Sequence, residues 1–265
     1  MIDLPFVDAF IRMADDAFYK GWHERNGGNL SYRLTDDERA AAEVFWNAEA
    51  GPAVPLEAPA SVLAGDVFLV TGSGKYMRNV ILAPEESLAL VEITADGAGY
   101  YLRWGLSAGG RPTSELPTHL LNHAVKKAAG KRVIYHAHPG NVIALTYILP
   151  LTHKAFTRAL WESATECPVV FPEGIGVVPW MVPGGKDIAA ATSAEMKHRN
   201  IVVWAHHGLF CAGADFDEAF GLMDTVEKAA EICVKVLSMG GARQTITEQN
   251  FSDLAKSFGV TLAEL

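Results

Sequence analysis

The chain lacks most of what would mark a secreted, membrane-bound or nucleic-acid-binding protein. It has three cysteines in 265 residues, Cys167, Cys211 and Cys233. An odd count with no CxxC pair argues against a disulfide framework and fits a reducing compartment, with each cysteine expected as a buried thiol. No apolar run reaches the roughly 18 residues that a bilayer-spanning helix needs. The opening stretch MIDLPFVDAFIRMADD carries acids and lacks the basic start of a signal peptide, so a cytoplasmic location is expected. Positive charge is scarce too: 22 Lys and Arg stand against 31 Asp and Glu, a formal net charge of −9. That balance argues against general attraction to polyanions. Neither nucleic acid nor membrane is an expected partner, and an anionic substrate must be captured by a local site. There is no Walker A or GxGxxG motif to indicate a nucleotide, no HExxH, no internal repeat and no low-complexity segment.

What is present is core-forming material: 49% of residues are hydrophobic and the 20% that are charged are spread out. This length suits one large α/β domain or two small ones. Phe6, Phe10, Met13 and Ala17 recur at helical spacing, which predicts an amphipathic helix stopping at Gly21. Strands are predicted at Leu30–Leu34, "DVFLV", "RVIYHAH", "PVVF" and "IVVWAHHG". "LALVEIT" and "YYLRWG" flank an Asp96–Gly97 turn and predict a hairpin. Residues 47–61, rich in Ala and Pro, predict a surface connection. "PTSELP" opens a helix of about fifteen residues, and another is expected from about Asn141. The longest helix begins near Asp215, where Asp215 and Glu218 have capping-box spacing. Phe220, Met223, Val226, Ala230 and Val234 then form one apolar stripe up to Gly240–Gly241. Hairpins mixed with helices predict a single three-layer α/β/α domain around a mixed, mainly antiparallel sheet.

The candidate chemistry sits where strands end. His136 and His138 are i and i+2 on a predicted strand and so share a face. A catalytic zinc takes three protein ligands and keeps a fourth position open, and "WAHHG" offers His206 and His207 at the end of another strand. Packing or hydrogen bonding at strand ends is the competing reading. His119 and His123, at i and i+4 on a helix, also have metal-compatible spacing, but their apolar neighbours favour a helix packed on the core. Glu115 stands at the start of that helix, where a carboxylate is electrostatically favoured. "NGGN" and "TGSGK" can each form a tight turn or present backbone N–H groups to an anion. Ser73, Thr113 and Ser114 add hydroxyls that suit a small phosphate monoester.

Several stretches, taken in order, resemble the zinc-dependent class II aldolase/adducin superfamily. They are "GWHERNGGNLSYRL", "VTGSGKYMRNV", "DGAGYYLRWGL", "PTSELPTHLL", "VIYHAHPGNVIALTYIL", "FTRALWESATECPVVFPEGIGVVPWMVPG", "HHGLF" and "EAFGLMDTVEKAAEICVKVLSMGG", and they run nearly end to end. The resemblance implies one domain over residues 1–265, with helix layers on a mixed sheet and subunits in a fourfold ring, a homotetramer. It implies one Zn2+ per subunit held by His136, His138 and His207, the last chosen over His206 because it directly precedes Gly208. Glu115 matches the catalytic acid/base, with Glu166 a secondary candidate. Asn26, Gly28, Asn29, Ser73, Gly74, Thr113 and Ser114 match positions that bind a sugar phosphate and its oxygens. The implied reaction is reversible aldol cleavage to glycerone phosphate and an aldehyde. The alternatives are a fuculose-phosphate aldolase or ribulose-phosphate 4-epimerase of the same fold, a Schiff-base aldolase acting through Lys75, and a non-catalytic adducin-like assembly module.

Overall fold

A computed structural model describes residues 1, 3–47 and 51–265. In chain order the first half runs α1 (Pro5–Tyr19), β1 (Asn29–Arg33), α2 (Asp36–Glu43), β2 (Val54–Pro55), β3 (Val67–Thr71), α3 (Pro84–Ser87), β4 (Leu88–Ile93), β5 (Gly99–Gly105) and α4 (Leu116–Lys126). The second half runs β6 (Val133–Ala137), α5 (Gly140–Leu145), α6 (His153–Trp161), α7 (Cys167–Val170), β7 (Gly176–Val178), α8 (Lys186–Met196), β8 (Ile201–Trp204), β9 (Gly208–Gly213), α9 (Phe216–Ser238) and α10 (Glu248–Phe258).

Among the described residues the strands form one nine-stranded sheet, ordered β2-β5-β4-β3-β1-β6-β9-β8-β7. Every pairing is antiparallel except β7 with β8. Alternation along the strands builds two cores. Leu30, Tyr32, Leu69, Tyr135, Leu209 and Cys211 join Phe10, Leu145, Leu160 and Met223 from the helices on one face. On the other face Phe68, Val70 and Val91 pack with Leu116 and Leu120 of α4, while Ile134, Val202 and Phe210 pack with Ile188 and Met196 of α8. The expected layers of helix, sheet and helix are all present. Each fully buried large aliphatic or aromatic side chain contributes about 1.5–3 kcal/mol.

Several expectations are refined. The predicted strand "PVVF" is instead the helical turn α7, with Pro168 in its first turn. The fixed φ of proline suits that position, and four residues are too few for a period to separate strand from helix. The strand "IVVWAHHG" stops at Trp204, and both histidines lie in the turn before β9. The helix after "PTSELP" has 11 residues. Of the Ala/Pro-rich connection, residues 48–50 lie outside the described residues, and Val54–Pro55 forms a short strand on β5. The capping box of α9 is half realised: Asp215 accepts from the Glu218 N–H at 2.8 Å, but the Glu218 carboxylate accepts from Ala214 N–H at 2.6 Å.

Register decides where the site falls. Asn29 pairs with His136, Ala137 with Leu209, and Trp204 with Gly208, while Ser31 pairs with Val70 just before the end of β3. The start of β1, the ends of β3 and β6 and the β8–β9 turn therefore share one edge of the sheet.

Candidate metal centre and active site

On that edge the side chains of His136, His138 and His207 converge, with one ligand nitrogen from each lying within 4.8 Å of the others. His136 is fully buried on the α4 side and stacks on its cross-strand neighbour Phe210, with centroids 4.2 Å apart. Its Nδ1 lies 3.0 Å from the Leu209 carbonyl, to which it can only donate, so Nε2 is left bare. The Nδ1 of His138 lies 2.6 Å from a Glu24 carboxylate oxygen and likewise donates, which in the neutral imidazole leaves Nε2 bare. Hydrogen bonds of this kind from the second ring nitrogen fix ligating imidazoles.

The two bare nitrogens stand 3.3 Å apart. Two lone pairs that close repel unless a cation lies between them, and two nitrogens at about 2.05 Å from a tetrahedral ion are about 3.3 Å apart. Burial, and then the neighbouring His138 and His207, push the His136 imidazole well below its ordinary range. Burial, followed by His138, pushes His207 down to about 4. Neutral imidazoles are what a metal requires, so the residues fit a divalent ion with an imidazole preference.

His206 points elsewhere. It occupies the left-handed region at φ 61°, its backbone N–H donates to Thr146 Oγ1 at 3.1 Å, and its ring lies on Tyr147. The turn also explains Gly208: a Cβ there would stand 2.4 Å from the Ala137 carbonyl and 3.0 Å from the His136 and His138 rings.

Glu115 forms the N-cap of α4 and places Oε2 3.6 Å from His136 Nε2. The Asn29 side-chain amide donates to the same oxygen at 2.9 Å. Burial raises this carboxyl to about 7, against the opposing effect of the Asn29 hydrogen bond. A carboxyl poised near neutrality can both take up and release a proton.

The remaining candidates divide. Gly28, at φ 75°, sits against the His23 ring and the His136 carbonyl, with no room for a side chain. Asn26 is exposed in the turn just before it. The Thr71–Lys75 and Arg111–Ser114 loops are joined by Ser73 N–H to Arg111 O and Thr113 N–H to Thr71 O, 2.8 and 2.9 Å. Ser73, Gly74, Thr113 and Ser114 are thereby neighbours beside Glu115. Ser73 and Thr113 have spent their backbone donors in this pairing, the Thr113 hydroxyl accepts from the Glu115 N–H at 3.3 Å, and Gly74 is exposed. A cavity of about 380 Å³ lined by Val54, Tyr100, Arg111, Thr113, Ser114 and Pro183 lies on this segment but is not lined by Ser73, Gly74, Glu115 or the three histidines. Glu166 is not brought to this group. It is exposed at the N-cap of α7, and its helix packs on α9 and α10.

Two participants have no motif of their own. Glu24 orients His138, and its only signal is a carboxylate just before a glycine turn. Ser31 links His119 to His123 at 2.6 and 2.8 Å, and its signal is a polar residue alternating with Leu30 and Tyr32 on an otherwise buried strand.

The model of the class II aldolase and adducin N-terminal domain matches residues 8–234. The chain is 52% identical to a rhamnulose-1-phosphate aldolase of Mannheimia succiniciproducens, covering 98% of this chain and 97% of that one. It is 51% identical to the enzyme of the same name from Escherichia fergusonii, covering 97% and 94%. Among solved structures, a sugar-phosphate aldolase from Thermotoga maritima superposes with a TM-score of 0.74 at 29% identity, covering 88% of this chain and 95% of that one. An L-fuculose-1-phosphate aldolase from Thermus thermophilus, at 21% identity and a TM-score of 0.60 over 89% and 97% of the two chains, shares the fold.

Proposed function

The chain belongs to the class II aldolase and adducin family, and we propose that it is a zinc-dependent aldolase cleaving L-rhamnulose 1-phosphate, reversibly, to glycerone phosphate and L-lactaldehyde. The observation that carries the substrate is the 52% identity to a rhamnulose-1-phosphate aldolase along nearly the whole of both chains. The metal is supported by the two bare imidazole nitrogens 3.3 Å apart, held by partners on their opposite ring atoms.

Cleavage breaks the C3–C4 bond. The C4 hydroxyl loses a proton as C4 becomes the aldehyde, the electron pair of the bond moves onto the ketone side, and C3 later takes up a proton. His136, His138 and His207 would hold the zinc ion, which when bound would supply Lewis acidity for the charge developing on the ketone side. Glu115 is the group in place to move the protons. Oε2 accepts from Asn29, which leaves Oε1 to carry the proton to and from substrate. The loops bearing Ser73, Gly74, Thr113 and Ser114 bind the phosphate, with Asn26 and Gly28 shaping the other side of the mouth. Their hydroxyls and Gly74 position the bond to be broken. Glu166 stands apart within a single chain and acts as a second acid only if another copy carries it to the site. The family resemblance further supports a homotetramer in the cytoplasm. Among the described residues no helix is long and apolar enough to cross a membrane.

The test is direct. Purified protein is expected to release glycerone phosphate from L-rhamnulose 1-phosphate faster than from fuculose or ribulose phosphates. Activity should be lost after exhaustive chelation and restored by zinc. Full cleavage by metal-free protein would end the metal reading, and preference for another sugar phosphate would end the substrate assignment.

A further inference from the structure

Behind Glu115 lie three buried side chains that the proposed reaction does not use, Ser31, His119 and His123. They belong to two polar rows that run side by side into the molecule. Asn29 and Ser31 are i and i+2 on β1 and share the face under α4. Glu115, His119 and His123 are spaced i, i+4 and i+8 along one stripe of that helix. Two strand residues rise about 6.7 Å and four helix residues about 6 Å, so the rows stay in step. They are joined hydrogen bond by hydrogen bond. Glu115 Oε2 meets Asn29 Nδ2 at 2.9 Å, and Asn29 Oδ1 meets His119 Nε2. His119 Nδ1 meets Ser31 Oγ at 2.6 Å, and Ser31 Oγ meets His123 Nε2 at 2.8 Å.

Two directions of donation make every contact, and only one of them leaves no buried hydrogen without an acceptor. The amide nitrogen of Asn29 donates to the carboxyl oxygen, so its oxygen must accept, and His119 Nε2 carries the hydrogen. A neutral imidazole has one N–H, so His119 Nδ1 is bare and accepts from the Ser31 hydroxyl. Ser31 has then spent its only hydrogen and accepts from His123 Nε2–H. Burial keeps both imidazoles neutral, with His119 lowered to about 3 and His123 well below its ordinary range. Reversing the direction would flip the Asn29 amide, turn its oxygen on Glu115 and place a hydrogen on His123 Nδ1. That atom is buried and has no partner among the described residues, and an orphaned buried N–H is a rare and costly state.

We propose that Ser31, His119 and His123 are positioning residues that lock the Asn29 amide with its nitrogen toward Glu115, so that Oε2 stays a hydrogen-bond acceptor throughout the reaction and the exchangeable proton is confined to Oε1. The row is not a proton wire, because an amide at Asn29 interrupts it. Its role rests on the aldolase reading of the site, since it acts through Glu115.

The test compares Ser31→Ala with Ser31→Thr, which keeps the hydroxyl. Ser31→Ala is expected to lower kcat about tenfold, with KM within about twofold and metal content unchanged, and Ser31→Thr to recover most of the loss. An unchanged kcat in Ser31→Ala, or a threonine variant no better than alanine, overturns the proposal. A second measurement needs no variant. In the wild-type protein labelled with ¹⁵N-histidine, both His119 and His123 should carry hydrogen on Nε2 and be bare at Nδ1; a hydrogen on Nδ1 of either overturns the proposed direction. This readout is independent of turnover, so failure of the wild-type enzyme to cleave any ketose 1-phosphate would sink the function proposed above and leave the tautomers to be judged separately.

Discussion

Glu115 is held between two opposing influences. Its place at a helix N-cap and the Asn29 amide favour the charged form, while burial disfavours it and prevails, raising the carboxyl to about 7. A carboxylate kept only for structure would be better served by solvent or a cation, and no Lys or Arg forms an ion pair with Glu115 among the described residues. Glu115→Gln preserves size and an acceptor for Asn29 but cannot move a proton. It is expected to fold, to keep its metal by elemental analysis, and to lose about a hundredfold or more in kcat. Turnover within a few fold of wild type would remove Glu115 from proton transfer.

At the scale of elements, the site depends on how closely β6 and β9 approach. Gly208 opens β9 one residue before Leu209, the cross-strand partner of Ala137, and a Cβ there would meet the Ala137 carbonyl at 2.4 Å. A flexible side chain could swing aside, but a carbonyl in a paired strand cannot. Gly208→Ala should therefore push the strands apart between His136 and His207, two of the proposed ligands. The expected outcome is metal content well below stoichiometric and a loss of about 1–3 kcal/mol in stability, read by elemental analysis and denaturant unfolding. Full metal occupancy would show that the turn adapts.

The same elements show what was legible beforehand. α1 and α9 declared themselves because long apolar stripes are unambiguous. β1, β3 and β6 did so because short apolar runs were flanked by turn residues. α7 was misread because four residues carry no period. His136 and His138 were visible as a pair because i and i+2 share a strand face. His119 and His123 were correctly expected inside the protein, but their bonds to Ser31 were not legible. Those bonds arise from the placement of α4 across β1, a tertiary register that neither segment encodes alone. The choice of His207 over His206 rests on the family resemblance, in which the ligand directly precedes a glycine, because the left-handed turn that carries His206 away is stated by no local pattern.

The whole molecule buries an unusual number of uncharged imidazoles, and this sets its response to acid. Burial lowers His23 and His207 to about 4 and His119 to about 3, while His123 and His136 move the same way. Each binds its proton less tightly folded than unfolded. Between the unfolded value near 6.5 and these folded values the unfolded chain holds the extra protons, so stability rises with pH. Glu115 works in the opposite sense. Raised to about 7, it keeps a proton that the unfolded chain releases above about 4.5, and stability falls as pH climbs through that window. Glu227 is raised by burial in the same sense as Glu115 and His153 is lowered by burial like the other imidazoles, so two carboxyls stand against six imidazoles and the histidines dominate. His23 alone, moved from 6.5 to about 4, accounts for about 3 kcal/mol when fully expressed. Metal-free protein should therefore melt at least about 5 °C lower at pH 5 than at pH 7, with most of the change below pH 6.5. Zinc should raise the melting temperature at both pH values, because an ion that binds the folded chain better than the unfolded one stabilises it. A melting temperature that is flat or rising toward pH 5 in the metal-free protein would mean that these imidazoles are not buried neutral in solution. It would also remove the physical basis for a metal site preformed before the ion arrives.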